Sequence, residues 1–155
     1  RIMHLYSQEG IITNLPKGDE GELVENWFNT QYAFQQSNMY AANSIPFKLR
    51  SLSVQENKEL SEEDIDLMAR TEHNRWNIER LLMGFSPYPL SERMAFKEIL
   101  SSDDIDAAHE LNTKLKAAKK KLFKHKDIAP YDELLDGSKK YDRTIVKNIF
   151  NVSRI

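Results

Sequence analysis

Cysteine is missing from all 155 residues, which excludes disulfides, thiolate nucleophiles and cysteine-ligated zinc. No apolar run reaches the roughly 20 residues that a bilayer-spanning helix needs. The opening Arg1-Ile2-Met3-His4-Leu5 has no secretory character, so a soluble, cytoplasmic chain without a membrane segment is the expectation. Charge of one sign is also lacking. A formal net charge of −2 supplies no field able to gather nucleic acid or anionic membrane, and nucleic acid is not an expected partner. There is no glycine-rich phosphate loop, no Gly-x-Ser-x-Gly elbow, no calcium loop and no kinase signature. Catalysis is therefore not expected, and neither is a cofactor. What is present suffices for a core: hydrophobic residues make up 40% and charged residues 30%, the balance of a globular domain. The length fits one compact domain or two half-domains sharing a core. Because the chain starts on arginine, further sequence is expected before Arg1.

Read along the chain, the apolar spacing is helical almost throughout, and the class is mainly α with little or no β-structure. Residues 1–22 read as the tail of an earlier element plus a linker carrying Pro16 and Gly18, with a possible short strand at Ile2–Tyr6. Leu23, Val24, Trp27 and Phe28 predict a short helix. Ser37 is a candidate cap for a helix turning Ala42, Ile45, Leu49 and Leu52 inward, which Pro46 should kink or restart. Ser61-Glu62-Glu63-Asp64 predicts a strong helix start, with a hydroxyl followed by carboxylates at the positive end of the dipole, and Gly84 predicts its stop. A loop with Pro87 and Pro89 follows, with a second possible strand at Phe85–Tyr88. A short helix near Glu92–Leu100 and a longer one capped by Asp103 or Asp104 come next. The longer helix carries the stripe Ile105, Ala108, Leu111, Leu115, Ala118, Leu122. The last helix is expected after a turn at Asp136-Gly137, capped by Ser138, with Tyr141, Ile145, Val146 and Ile149 inward.

The central helix carries the unusual chemistry. Its inward stripe, begun by Ile65, Met68 and Ala69, leads on to Glu72, Trp76 and Glu79 or Arg80, so carboxylates and a guanidinium share a face with tryptophan. Two readings stay open: the charged groups pair internally, or they line a pocket. Trp76 is either core or a platform for an adenine-like ring, and Arg80 either an ion-pair partner or a phosphate ligand. Glu72, Glu79, Asp142 and Arg143 read first as an ion-pair network joining the central helix to the last one. His73 and His125 lack metal-ligand spacing. The lysines from Lys114 to Lys126 read mainly as a solvated face offsetting a helix dipole, with a phosphate contact as the minor reading.

Three blocks in order carry a family resemblance. They are Glu72-His73-x-Arg75-Trp76-x-x-Glu79-Arg80 with Gly84-Phe85, then His125-x-x-Ile128-x-Pro130-Tyr131-x-x-Leu134, then Lys140-x-Asp142-Arg143-x-x-Val146. Together they resemble the ryanodine receptor repeat, the RyR domain, over residues 61–150. The segment 23–54 looks like the half-repeat that precedes bacterial versions, and it aligns without gaps on the C-terminal block, with Trp27 on Tyr131, Asn38 on Asp142, Ala42 on Val146 and Ile45 on Ile149. The chain departs from the family in a helical insertion at about 86–122 and in Phe85, where tryptophan is usual.

The resemblance implies a multi-helix module with a pseudo-repeated half, serving as a non-catalytic sensor in a larger channel-associated or signalling protein. Its implied ligand is a nucleotide or nucleotide-derived small molecule, held by residues from Trp76, Arg80, His73, Glu72, Tyr131, Asp142 and Arg143. A neighbouring domain or subunit is the implied recipient of the signal. A protein-interaction scaffold with no small ligand is the alternative.

Overall fold

The computed structural model describes residues 32–51 and 60–149. The helix expected from Leu23, the strand expected at Ile2–Tyr6 and the inward residue Leu52 lie outside them. The described chain is mainly α: α1 (Tyr32–Asn43), α2 (Ile45–Ser51), α3 (Glu62–Leu82), α4 (Leu90–Leu100), α5 (Ile105–Leu122) and α6 (Asp136–Lys147), with a 3-10 turn at Tyr131–Glu133 and two two-residue strands, β1 (Ser86–Pro87) and β2 (Lys124–His125). Among the described residues, no helix is long and apolar enough to cross a membrane. Contacts divide the chain into two compact units, one reaching to Trp76 and resuming at Lys139, the other spanning Asn77 to Ser138.

In the first unit, α1 gives way to α2 at Ser44, whose hydroxyl donates to the Ala41 carbonyl at 2.7 Å. Pro46 falls in the first turn of α2, where its missing N–H is tolerated, so proline restarts the helix as expected. Ser37 lies inside α1 rather than at its start. The inward stripe is turned by one residue from the expected one: Ala41, Ile45 and Lys48 are buried, while Ala42 and Leu49 are half-buried. α3 begins as the sequence requires. The Asp64 N–H donates to Ser61 Oγ at 3.1 Å, and the Ser61 N–H donates back to Asp64 Oδ2 at 3.2 Å. From α3 the unit buries Ile65, Met68 and Ala69, and from the C-terminal segment Ile145, Val146 and Ile149. Tyr141, expected inward, is 42% exposed, and Asp142 takes the buried place beside Ile145 and Val146. The period explains it: 142, 145, 146 and 149 lie on one helical face, and residue 141 sits about 100° away from it.

In the second unit, α3 ends as a Schellman turn. The Gly84 N–H donates to the Leu81 carbonyl and the Phe85 N–H to the Arg80 carbonyl, both at 3.0 Å, with Gly84 at φ 86°. α5 is capped by Asp104, whose Oδ1 accepts from the Ala107 N–H at 2.9 Å. Phe123 ends it in a left-handed conformation, φ 52°, and its carbonyl accepts from the Ser86 N–H at 2.8 Å. That reversal sets β2 parallel to β1, Ser86 against Lys124 and Pro87 against His125. The buried apolar residues are Tyr88, Leu115, Ile128, Ala129, Tyr131 and Leu134. α4 buries nothing fully and α5 only Leu115, so the regular stripe of α5 covers surface more than core; Ile105 is 80% exposed. α6 starts at Asp136, two residues before its expected cap, and Ser138 instead donates its hydroxyl to Asp127 at 2.9 Å.

Candidate functional site

The first unit contains a buried charge layer centred on Glu72, which is 1% exposed. A lone carboxylate at that depth would shed its charge, so it requires cations. Among the described residues it has two: the Lys48 ammonium of α2, and the Arg75 guanidinium one turn on, whose Nη2 lies 2.8 Å from Oε1. Beside this triad His73 Nδ1 lies 3.1 Å from Asp142 Oδ2. Burial, foremost, pushes the Asp142 carboxyl above its ordinary range, Glu72 adds to the rise, and the bond from His73 with the charges of His73 and Arg75 opposes it. The imidazole in turn stacks on Trp76, ring centroids 5.7 Å apart and planes 23° from parallel. Trp76 is half-buried. Arg143 is held by Asp66 at 3.3 Å and by Glu62.

Of the seven sequence-derived site residues, Trp76, His73, Glu72, Asp142 and Arg143 fall in this unit. Among the described residues, Glu72 pairs with Lys48 and Arg75, His73 with Asp142, and Arg143 with Asp66 and Glu62, all inside this unit. Trp76 is half-buried with its ring stacked on His73, and Arg143 is likewise half-buried. Arg80 and Tyr131 belong to the second unit.

There, Arg80 is 7% exposed. Its Nη2 lies 3.7 Å from Glu79 Oε1, its Nη1 contacts Met83 Sδ at 3.6 Å, and its guanidinium carbon sits 5.9 Å from the centre of the Phe85 ring. Phe85 meets His125 edge to face at 6.3 Å. His125 Nδ1 accepts the Asp127 backbone N–H at 3.2 Å, an arrangement that suits a neutral ring protonated on Nε2. Burial chiefly, then Lys119, Arg80 and Lys126, hold its pKa down at about 4, against the pull of Asp127. Lys119, exposed by surface area, is lowered likewise, by desolvation first and then by Arg80 and Lys126, against the pull of Asp127. Lys126 pairs with Asp127 at 2.6 Å and reaches Ser138 Oγ at 3.2 Å. Tyr131 is buried in the 3-10 turn after Pro130.

Sequence reasoning did not place Lys48 or Arg75 among the site residues, although Arg75 stands in the first block of the resemblance. Lys48 stood one position off the stripe read for its helix. Compared with family models, curated proteins and solved structures, the chain matches none.

Proposed function

We propose that this chain is a non-catalytic sensing module for a nucleotide-like small molecule, with Trp76 as the platform for the base. One observation carries the reading: Asp142 fixes His73, and His73 stacks beneath Trp76. A half-buried indole already locked in place loses little freedom when a flat ring stacks on it. The resemblance to the ryanodine receptor repeat supports the same reading and makes the module a part of a larger channel-associated or signalling protein, reporting to a neighbouring domain or subunit. The second reading, an interaction scaffold without a small ligand, is favoured by the exposed apolar side chains of the second unit, among them Ile78, Leu82, Met94 and Ile105.

Thermal-shift titration with adenosine, adenine nucleotides and a cyclic dinucleotide separates the two, since a ligand specific to the folded state raises the melting temperature by mass action. The expected outcome is a rise with at least one of them. Trp76→Phe should then melt near the parent and bind about tenfold more weakly, in keeping with the roughly 1–3 kcal/mol that base stacking contributes. Calorimetry showing equal affinity for parent and variant would move the base away from Trp76, and no response to any of these compounds would favour the scaffold.

A further inference from the structure

We propose that the end of the second unit where α3 and α5 both stop is a docking surface for an anionic bilayer, with Leu122 and Phe123 as its apolar insert and Lys120 and Lys121 as its headgroup contacts. The two helix ends are held next to each other. The Phe123 carbonyl accepts from the Ser86 N–H at 2.8 Å, the Phe85 and Phe123 rings lie 5.3 Å apart, and β1 pairs with β2 just beyond. Leu82 and Leu122 are the last residues of their helices. They and Phe123 are each more than half exposed. Phe123 is also, among the described residues, the non-glycine residue with a positive φ, 52°. That conformation disfavours a bulky L-residue and ordinarily falls to glycine at a helix end, yet the ring presented here stays half in solvent.

Charge identifies the occupant. The whole chain gathers no anionic surface at a net −2, but this end is locally cationic: residues 111–126 carry seven lysines and no carboxylate, and residues 80–91 carry no carboxylate either. Lys116, Lys120 and Lys121 are exposed. Lysines at a helix C-terminus offset its dipole, which does not explain why leucine and phenylalanine follow them into water. Exposed apolar side chains next to lysines fit a membrane interface, where ammonium groups gain from a negative leaflet and the apolar tips from the acyl boundary. A bound peptide helix would lay its apolar face into a groove, whose walls are largely covered beforehand; side chains each more than half exposed project singly instead, as insertion into a soft medium requires. The opposite end of α5 supplies the contrast. Ile105 is exposed too, but it stands among Asp103, Asp104 and Asp106, where an anionic surface is repelled. The assignment is independent of Trp76 and of any nucleotide.

The test is cosedimentation of the intact chain with vesicles of phosphatidylcholine alone and with vesicles of equal parts phosphatidylcholine and phosphatidylserine, at low and at high salt. The chain should pellet with the mixed vesicles at low salt, much less at high salt, and not with phosphatidylcholine alone. Leu122→Ser, at an exposed position, should melt with the parent and bind the mixed vesicles about tenfold more weakly. Lys120→Gln combined with Lys121→Gln should weaken binding by at least about tenfold. Ile105→Ser should bind as the parent does. The proposal is overturned by a parent that stays in solution with the mixed vesicles, by equal pelleting with both compositions, by Leu122→Ser binding like the parent, or by Ile105→Ser losing as much as Leu122→Ser. A soluble dimer that Leu122→Ser dissociates, in a chain indifferent to vesicles, would overturn it in favour of a second copy.

Discussion

Lys48 illustrates how a single side chain can invert its own hydropathy. It lies on an inward face with Ala41 and Ile45, 3% exposed, because Glu72 waits at the end of its stem. A buried pair of this kind adds little net stability relative to apolar residues of the same shape, but half of it is worse than none. Lys48→Met should therefore destabilise the protein by about 3 kcal/mol in urea unfolding, at the lower end of the range for a broken buried pair, because Arg75 still faces the carboxylate. Adding Glu72→Leu should recover much of that loss; a double variant less stable than the single one would show that the layer stabilises the fold rather than merely neutralising itself. Apolar periodicity could not foresee Lys48, since it assigns charge to solvent. It could foresee Glu72, Trp76 and Arg80 as anomalies, because they interrupt a stripe whose other members are plainly core.

The ends of α3 and the start of α5 were legible, because capping is local chemistry, whereas Ser37 and Ser138 lie inside their helices rather than at the start. Ser61 and Asp64 bond reciprocally, Asp104 closes the first turn of α5, and Gly84 stops α3. Gly84→Ala tests the last point. A methyl group there would meet nothing within 4 Å, so any loss comes from the backbone at φ 86° and should reach about 1–2 kcal/mol by denaturant titration, the cost of a left-handed conformation for an L-residue. An unchanged midpoint would mean that the turn relaxes into another conformation. Helix faces were less legible than these ends. The α5 stripe is the most regular in the sequence, yet it buries only Leu115, since periodicity reports which side of a helix is apolar and not how much partner surface covers it. In α6 the periodicity places Ile145 and Val146 correctly and misplaces Tyr141, because an aromatic ring counts as apolar and the charge of Asp142 conceals its burial.

Taken whole, the molecule should answer acid in two opposed ways. His125 has a folded pKa of about 4 against an ordinary 6.5, so the folded form binds fewer protons than the unfolded chain between those values. Its contribution to stability is complete above pH 6.5 and is lost as pH falls towards 4, up to about 3 kcal/mol. Asp142 is raised, so its protonation favours the folded form as pH drops through its elevated pKa towards 3.8. Acid should consequently loosen the second unit while Asp142 resists the same change in the first. Amide exchange followed by residue between pH 7 and 4 would show protection falling for the segment around Ile128 to Leu134, and His125→Gln should flatten that fall. A fall equally steep in the variant would assign the acid response to other groups.

The two-residue strand pair has a consequence in time. Parallel strands cannot be joined by a tight turn, and here the crossover is the α4–α5 hairpin. Four residues cannot nucleate a sheet across a loop of that length, for closing it costs chain entropy before any ladder bond repays it. The helices, built from near neighbours, form early, and Phe123 must turn left-handed before Lys124 reaches Ser86. His125 thus meets the Phe85 ring, which Arg80 also contacts, only when the two strands pair.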